Sequence, residues 1–426
     1  MIVCGGAGTR LTQRGISTPK CLLEVNGKTI LERQFVVLEK AGIEKVLLLL
    51  GKGSEEIVTS LMKWGKKYSL QINTIIESSP LGTAGALFNA SELLEEEFLI
   101  MYGDLLLDTD LKTTFAEFES VNPSAAILYR SSDHMFDSDL LKINEKSIVT
   151  KFELKNSPRL NPKRNRANVG IYLMTKTLLE SSIMQEIECD FDREFLPMAL
   201  KSGATILALK FRGYVRDVGT FERLESSKIE FEEYQKSERL QATVLLDRDG
   251  VINKHNGYVR SKFDFELLPQ AIQALKLIFS KGYRIIVITN QPVVARGEST
   301  WEDVEDCHAI IDDELAKVGA YVTDYYVCIH HPDKGFSGER EELKFICSCR
   351  KPGVGNFTQA MIDHPFVKSE AVFVGDSMVD LTAAKNFGVN FIGIKSEELD
   401  GLTSFFEYHD NLLDFALKLP DRSGNS

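Results

Sequence analysis

Residues 244–253 read Val-Leu-Leu-Asp-Arg-Asp-Gly-Val-Ile-Asn, an apolar run ending in Asp-x-Asp. On a strand, Asp247 and Asp249 face the same cleft, because successive side chains alternate. Two such carboxylates can divide the work of cleaving a phosphate ester. One attacks phosphorus unprotonated, and the other carries a proton to and from the leaving oxygen. The acyl phosphate so formed needs a metal and a lysine to offset its charge. Far upstream, residues 4–11 read Cys-Gly-Gly-Ala-Gly-Thr-Arg-Leu directly behind the first apolar residues. Gly5, Gly6 and Gly8 let the backbone approach a triphosphate and turn N–H groups inward as an anion nest. Thr9 completes that loop and Arg10 follows it. Taken singly, an Asp-x-Asp pair is common in turns, and a glycine-rich turn can be no more than a tight loop. The elements around them decide.

Strands alternate with helices in both halves, the pattern of parallel α/β sheets. Lys45–Gly51, Glu97–Asp104 and Thr205–Phe211 are apolar runs of strand type in the first half. Ile30–Gly42 has helical spacing and a glycine stop. In the second half Ala242–Leu246, Tyr283–Thr289 and Ala371–Val374 are the buried strands. Pro269 is expected to open a helix that Gly282 closes. The charged stretch Phe221–Gln241 lacks the strand-loop pattern, and the boundary is expected near residue 238. These features predict an α/β chain of two Rossmann-like three-layer domains. Residues 1–225 form the first, 226–240 a linker helix, 241–396 the second, and 397–426 a C-terminal extension.

At 426 residues the chain is too long for one compact core. Its 43% hydrophobic and 26% charged content is ordinary for a soluble protein. The formal net charge of −12 argues against nucleic acid as a partner. No apolar run approaches the roughly 20 residues that span a bilayer, so no membrane partner is expected. The glycine loop succeeds Met1–Cys4 at once, without room for a signal peptide, and a cytoplasmic location is expected. The expected partners are small molecules; a homo-oligomer stays open.

The glycine loop is the first of a series of motifs. Thr18-Pro19-Lys20 comes ten residues on, then Pro80-Leu81-Gly82-Thr83-Ala84-Gly85, Tyr102-Gly103-Asp104, Asn168-Val169-Gly170 and Asp217-Val218-Gly219-Thr220. In this order the motifs resemble the sugar-1-phosphate nucleotidyltransferases, a GT-A-like fold, over residues 1–225. The resemblance implies that a sugar phosphate oxygen attacks the α-phosphorus of a nucleotide and pyrophosphate leaves. Arg10 would hold the β- and γ-phosphates and Lys20 would sit near the α-phosphate or the sugar phosphate. Gly82 and Thr83 would lie against base and sugar, with Asn168 and Gly170 in the same site. Asp104 and Asp217 would hold Mg²⁺, a hard ion that favours carboxylates. The alternative stays open that Asp104 caps a turn and Asp217 pairs with Arg216 or Arg223. Two departures mark the loop. Fewer apolar residues than usual precede the glycines, which reads as a shortened strand or a start downstream of the true one. Thr12-Gln13-Arg14 stands where a proline is frequent.

The carboxylate pair likewise heads a series, with Thr289-Asn290-Gln291, Lys351-Pro352, Gly375-Asp376-Ser377 and Asp380 behind it. This series resembles the haloacid-dehalogenase superfamily over roughly 242–396. It implies Asp247 as nucleophile, Asp249 as acid/base, Thr289 on the phosphoryl oxygens and Lys351 against the charge. Asp376 would complete a Mg²⁺ site with the Asp247 side chain and the Asp249 carbonyl, while Asp380 supports the site. Cys328, His330, Cys347 and Cys349 offer four N/S ligands with short bites, suited to structural Zn²⁺. The family pattern favours His330 over the adjacent His331. Free thiols are the alternative; Cys4, Cys21, Cys189 and Cys307 are scattered and read as core.

Zinc-loop phosphatases of this kind resemble two specialists, for heptose 1,7-bisphosphate and for histidinol phosphate. Asn290 and Arg296 fit both as substrate contacts, and Arg350 could grip a remote phosphate. Pro292-Val293 replaces their usual Ser-Gly. The fusion favours heptose, because removing the C7 phosphate leaves heptose 1-phosphate, the acceptor a nucleotidyltransferase needs. The expected function is therefore two sequential steps toward an NDP-heptose, with GTP as the favoured nucleotide. Another sugar, or a nucleotide-sensing first half that regulates the phosphatase, are the rivals.

Overall fold

The structure is a computed structural model that describes all residues except 6–14, 16, 66, 78–80, 182–187, 238–239, 256, 403–404 and 424–426. The chain divides into two compact units. Unit 1 comprises 1–129, 141–154 and 168–236; unit 2 comprises 130–140, 155–167 and 237–426.

Unit 1 is built on a nine-stranded mixed sheet in which the short interior strand Ile2–Val3 pairs in parallel with Lys45–Leu50 and Glu97–Tyr102. Ala167–Thr175 runs antiparallel to Glu97–Tyr102. Strand Lys45–Leu50 shows why the sheet is covered on both faces. Val46, Leu48 and Leu50 enter one apolar cluster, while Leu47 and Leu49 enter another. Such a near-continuous apolar run marks a strand buried on both sides. The helix Ile30–Ala41 starts at a capping box between Thr29 and Glu32 and stops at Gly42, whose φ is 85°. That left-handed geometry is one glycine adopts without a steric penalty.

The segment expected as a linker is a helix, Phe221–Lys236, that belongs to unit 1. Its Leu224 and Phe231 pack among Leu23, Val25, Ile30, Leu106, Tyr214 and Val218. Burying that stripe makes it part of the domain; its charged residues are only the outer face.

Unit 2 holds a six-stranded, all-parallel sheet in the order 324–328, 284–290, 243–246, 372–375, 390–394 and 407–409. Val244 and Leu246 face one apolar cluster and Leu245 the opposite one. The helix after the first strand spans Ala271–Ser280; Gln270, at φ 64°, stands between it and Pro269. Residues 397–426 are no appendage. Glu407–His409 forms the sixth strand, and Leu412, Leu413, Phe415 and Ala416 of helix Leu412–Lys418 complete the core. Two excursions from the first half of the sequence, 130–140 and 155–167, also belong to this unit. No helix among the described residues is long and apolar enough to cross a membrane.

Candidate active sites

Parallel sheets gather ligands at the carboxyl ends of their strands. In unit 2, Asp247 comes directly after Thr243–Leu246, Thr289 and Asn290 end Arg284–Asn290, and Asp376 comes directly after Val372–Gly375. Lys351 arrives from a loop, with its ammonium 2.7 Å from both Asp247 Oδ1 and Asp380 Oδ1. Burial alone would lower the lysine's pKa, but Asp247 and Asp380 outweigh it and hold the group above its usual range. Ser377 Oγ donates to the other Asp380 oxygen at 2.6 Å. Asp380 is thus engaged on both sides, which suits a supporting role.

Burial pushes the Asp247 carboxyl up to about 8; Lys351 opposes this, while Asp380, Asp376 and Asp249 add to it. One ammonium does not balance so many acids. Carboxylate oxygens of Asp247, Asp376 and Asp380 lie within 4.8 Å of one another, a hard-oxygen donor set that fits Mg²⁺. Gly250 makes the approach possible. At φ 81°, a Cβ there would lie 1.8 Å from Asp376 Oδ2. Gly250→Ala is therefore expected to cost about a hundredfold or more in phosphatase kcat by displacing Asp376. Assaying the soluble, folded variant checks this; an unchanged kcat would refute the placement.

Asp249 is directed differently. Arg248 Nη2 donates to both its oxygens at 3.0 Å, Asn253 Nδ2 to one at 2.8 Å and Gln291 Nε2 to the other at 2.7 Å. Burial raises this carboxyl's pKa, and those donors more than reverse the effect. Thr289 is buried, and its Oγ1 accepts from Gln291 at 2.8 Å. Asn290, expected to touch substrate, is turned to another task. Its amide donates to the Lys351 carbonyl at 3.1 Å and accepts from the Lys351 N–H at 2.9 Å. Arg296 lies between the rings of Tyr258 and Phe336, at 4.4 and 4.2 Å, and pairs with Glu298 at 2.7 Å. Arg350 has a buried Nη1 with no hydrogen-bond partner among the described residues. Val293, from the departure in the loop, is fully buried in an apolar cluster with Val294 and Val304.

The sulfurs of Cys328, Cys347 and Cys349 stand 3.2–3.6 Å apart, and His330 Nδ1 is 3.2 Å from Cys349. Tetrahedral zinc with Zn–S of about 2.3 Å needs sulfurs about 3.8 Å apart, so four ligands fit with little adjustment. His331 is not among them: its Nδ1 accepts from the Asp333 N–H at 3.2 Å and its ring packs on Phe336. Cys347→Ser is expected to remove about one equivalent of zinc, measurable by plasma mass spectrometry, and to expose loop 332–346 to proteolysis. Unchanged zinc content would refute the assignment.

In unit 1, Gly6, Gly8, Thr9 and Arg10 lie outside the described residues, as do Thr12–Arg14 and Pro80. Lys20 Nζ contacts Asp104 Oδ2 at 2.9 Å. Asp217 pairs with Arg223 at 2.7 Å, one of the two arginines open to it from the sequence. A Cβ built on Gly219 would stand 3.0 Å from Asp217 Oδ1 and 3.8 Å from Lys20 Nζ, so both groups border one space. Two carboxylates held by two cations there offer oxygen ligands that a divalent ion could take over. Gly5 is close to Gly51 and to the Glu77 carboxylate, whose pKa burial raises. Gly82 has φ 72° and packs against the Cys189 carbonyl, while Thr83 Oγ1 accepts from Phe191 N–H at 2.7 Å. Asn168 donates to Tyr172 Oη at 2.7 Å and accepts from Gly170 N–H at 2.9 Å.

Sequence reasoning misses Asp192, which accepts from both Tyr102 and Tyr172 hydroxyls. It also misses Arg248, Asn253 and Gln291 around Asp249. A signal is present for one group. Glu305, His308 and Asp312 share the face of helix Trp301–Lys317 that also carries Val304, Ile311 and Leu315. Charged residues in an apolar stripe require partners.

The two sites, together with the matches to known families, make this chain a bifunctional enzyme, transferase and phosphatase. The nucleotidyl transferase family profile matches residues 1–233. The chain is also 34% identical over 156 residues to a D-glycero-beta-D-manno-heptose-1,7-bisphosphate 7-phosphatase of Rhodopseudomonas palustris, covering 37% of this chain and 84% of that one. A probable phosphatase of the same kind from Thermoplasma acidophilum is 33% identical over 159 residues, 37% and 92% of the respective chains. The alpha-anomer phosphatase of Photorhabdus laumondii is 37% identical over 148 residues, 34% and 77% of each. Among solved structures, HddC from Yersinia pseudotuberculosis has 26% identity and a TM-score of 0.46, covering 54% of this chain and 97% of its own. The chain belongs to the nucleotidyl transferase family through its first half and to the heptose-bisphosphate phosphatases through its second.

Proposed function

We propose that the chain performs two consecutive steps on one sugar. Unit 2 removes the C7 phosphate from D-glycero-D-manno-heptose 1,7-bisphosphate, and unit 1 joins the resulting heptose 1-phosphate to a nucleotide. The presence of both chemistries in one chain carries this reading, since the first product is the second acceptor. Histidinol phosphate gives a nucleotidyltransferase no acceptor.

In the first step an Asp247 oxygen attacks phosphorus and the bond to the C7 oxygen breaks. With Asp247 ionised, as Mg²⁺ would favour, the one proton of the pair sits on Asp249, which gives it to that oxygen, leaving an aspartyl phosphate and the sugar alcohol. Water then attacks phosphorus and Asp249 takes up its proton. Phosphate departs and Asp247 is restored. Lys351 faces the charge throughout, and Asn290 fixes its backbone. Mg²⁺ held by Asp247, Asp376 and the Asp249 carbonyl would supply further positive charge to the phosphoryl oxygens. The orphaned Arg350 Nη1 suits the substrate's second phosphate. Zn²⁺ on Cys328, His330, Cys347 and Cys349 would staple the loop that brings in Lys351.

In unit 1 the heptose 1-phosphate oxygen attacks the α-phosphorus of a nucleoside triphosphate, GTP by the resemblance, and pyrophosphate leaves. Lys20 offsets charge at the reacting phosphates. Asp104 and Asp217 would hold a second Mg²⁺, which would shield the polyphosphate. Arg10 and Thr9 contribute from the glycine loop. A cytosolic setting would supply both substrates.

Phosphate release from the heptose bisphosphate and from histidinol phosphate, compared by kcat/KM, tests the specificity. Preference for the bisphosphate by about a hundredfold is expected, because histidinol phosphate has no second phosphate to meet Arg350. Equal values would refute the assignment.

A further inference from the structure

Residues 155–167 lie in the first half of the sequence and yet belong to the phosphatase unit. Their anchor is Arg164, half-buried against the helix Trp301–Lys317. Its Nε contacts Asp312 at 2.8 Å, its Nη1 contacts Glu305, and its guanidinium lies 4.4 Å over the Tyr325 ring. Asn165 N–H and Tyr325 Oη complete Asp312, at 2.9 and 2.8 Å, and Arg166 shares Glu305. One turn past Glu305, His308 is fully buried and stacked on Tyr325 with centroids 4.5 Å apart. Its Nδ1 is 3.6 Å from Glu305 and its Nε2 is 3.4 Å from Arg248 Nη1. Burial pushes the imidazole down to about 3, so it is neutral and has one nitrogen free to accept from Arg248. Arg248, 1% exposed, then grips both oxygens of Asp249.

A continuous series thus runs Arg164, Glu305, His308, Arg248, Asp249, its three middle members buried and its two ends half-buried. Its charged members depend on their partners, because a buried charge that loses its partner is strongly disfavoured, and neutral His308 stands as the spacer packed between Glu305 and Arg248. The sheet does not require this arrangement. Arg248 follows the strand in a turn, its carbonyl accepting from the Ile252 N–H at 2.8 Å, so the pleat of the sheet does not fix where its guanidinium lies.

We propose that Arg164 is a positioning residue for the phosphatase reaction: through Glu305 and His308 it fixes Arg248, and so aims the Asp249 carboxyl at the leaving oxygen. The inference rests on Asp249 as the proton donor.

A misaimed donor betrays itself by leaving group. An alkoxide needs its proton as the ester bond breaks, whereas p-nitrophenolate leaves without one. In Arg164→Ala, kcat/KM for heptose bisphosphate is expected to fall about tenfold while that for p-nitrophenyl phosphate stays within about twofold. Glu305→Gln, which keeps the shape and volume, repeats the measurement where the alanine variant folds poorly. Arg164→Lys reaches only one of the two acids and is expected to restore part of the loss. Equal losses on both substrates, or none on either, would overturn the proposal. Asp249→Asn serves as the reference and is expected to show the same selectivity, enlarged. Equal losses there would instead remove Asp249 as donor, and the proposal with it.

Discussion

Asp247→Asn is expected to lower phosphate release from heptose 1,7-bisphosphate by about 10⁴-fold or more. The same protein is expected to keep its nucleotidyl transfer to supplied heptose 1-phosphate. An amide has no charge to attack phosphorus with, and its acidic neighbours are committed elsewhere: Asp376 and Asp380 lie within 4.8 Å, but Asp376 would hold the cation and Asp380 is engaged by Lys351. The substitution is also well placed to be a chemical probe and not a structural one. Asn fills the same volume, and burial, with neighbouring acids adding to it, already raises the Asp247 pKa to about 8. Losing that charge removes repulsion, while Lys351 keeps its contact with Asp380. Phosphate release by a colorimetric assay and pyrophosphate release by a coupled assay read the two halves separately. Loss of both activities would mean that the units do not work independently.

Lys20→Ala is expected to do the reverse, lowering nucleotidyl transfer by at least about a hundredfold and sparing the phosphatase. Lys20 is a compact point charge next to the space bordered by Asp104, Asp217 and Gly219. With its side chain 25% exposed, the pair with Asp104 contributes little to stability. The melting temperature should therefore stay within about a degree or two while the rate collapses. A variant that melts much lower but retains its rate would show Lys20 to be structural.

The strands and the order of the motifs are legible in the sequence because they are local. Lys45–Leu50 and Thr243–Leu246 announce themselves as apolar runs, and Asp247, Thr289 and Asp376 each stand at the end of such a run. Lys351 can be named from its motif, yet its two carboxylate partners come from distant parts of the chain. Asn290 and Asn168 read as substrate contacts through the family motifs that contain them. The fold engages both amides locally, on Lys351 in one case and on Tyr172 and Gly170 in the other. The helix Phe221–Lys236 reads as a linker from its charge, although two apolar positions, Leu224 and Phe231, suffice to dock it. Arg164 is invisible for a different reason. It stands in a polar stretch without periodicity, and only long-range pairing across 141 and 148 residues of sequence gives it a role.

The central claim is that one chain carries a sugar through both steps, and product masses test it most directly. The purified protein would be given Mg²⁺, D-glycero-D-manno-heptose 1,7-bisphosphate and each of four nucleoside triphosphates in turn. A GDP-heptose mass with GTP, together with free phosphate and pyrophosphate, is the predicted result. Free phosphate with no nucleotide sugar from any triphosphate would contradict it, leaving a phosphatase whose first half serves another sugar or senses a nucleotide.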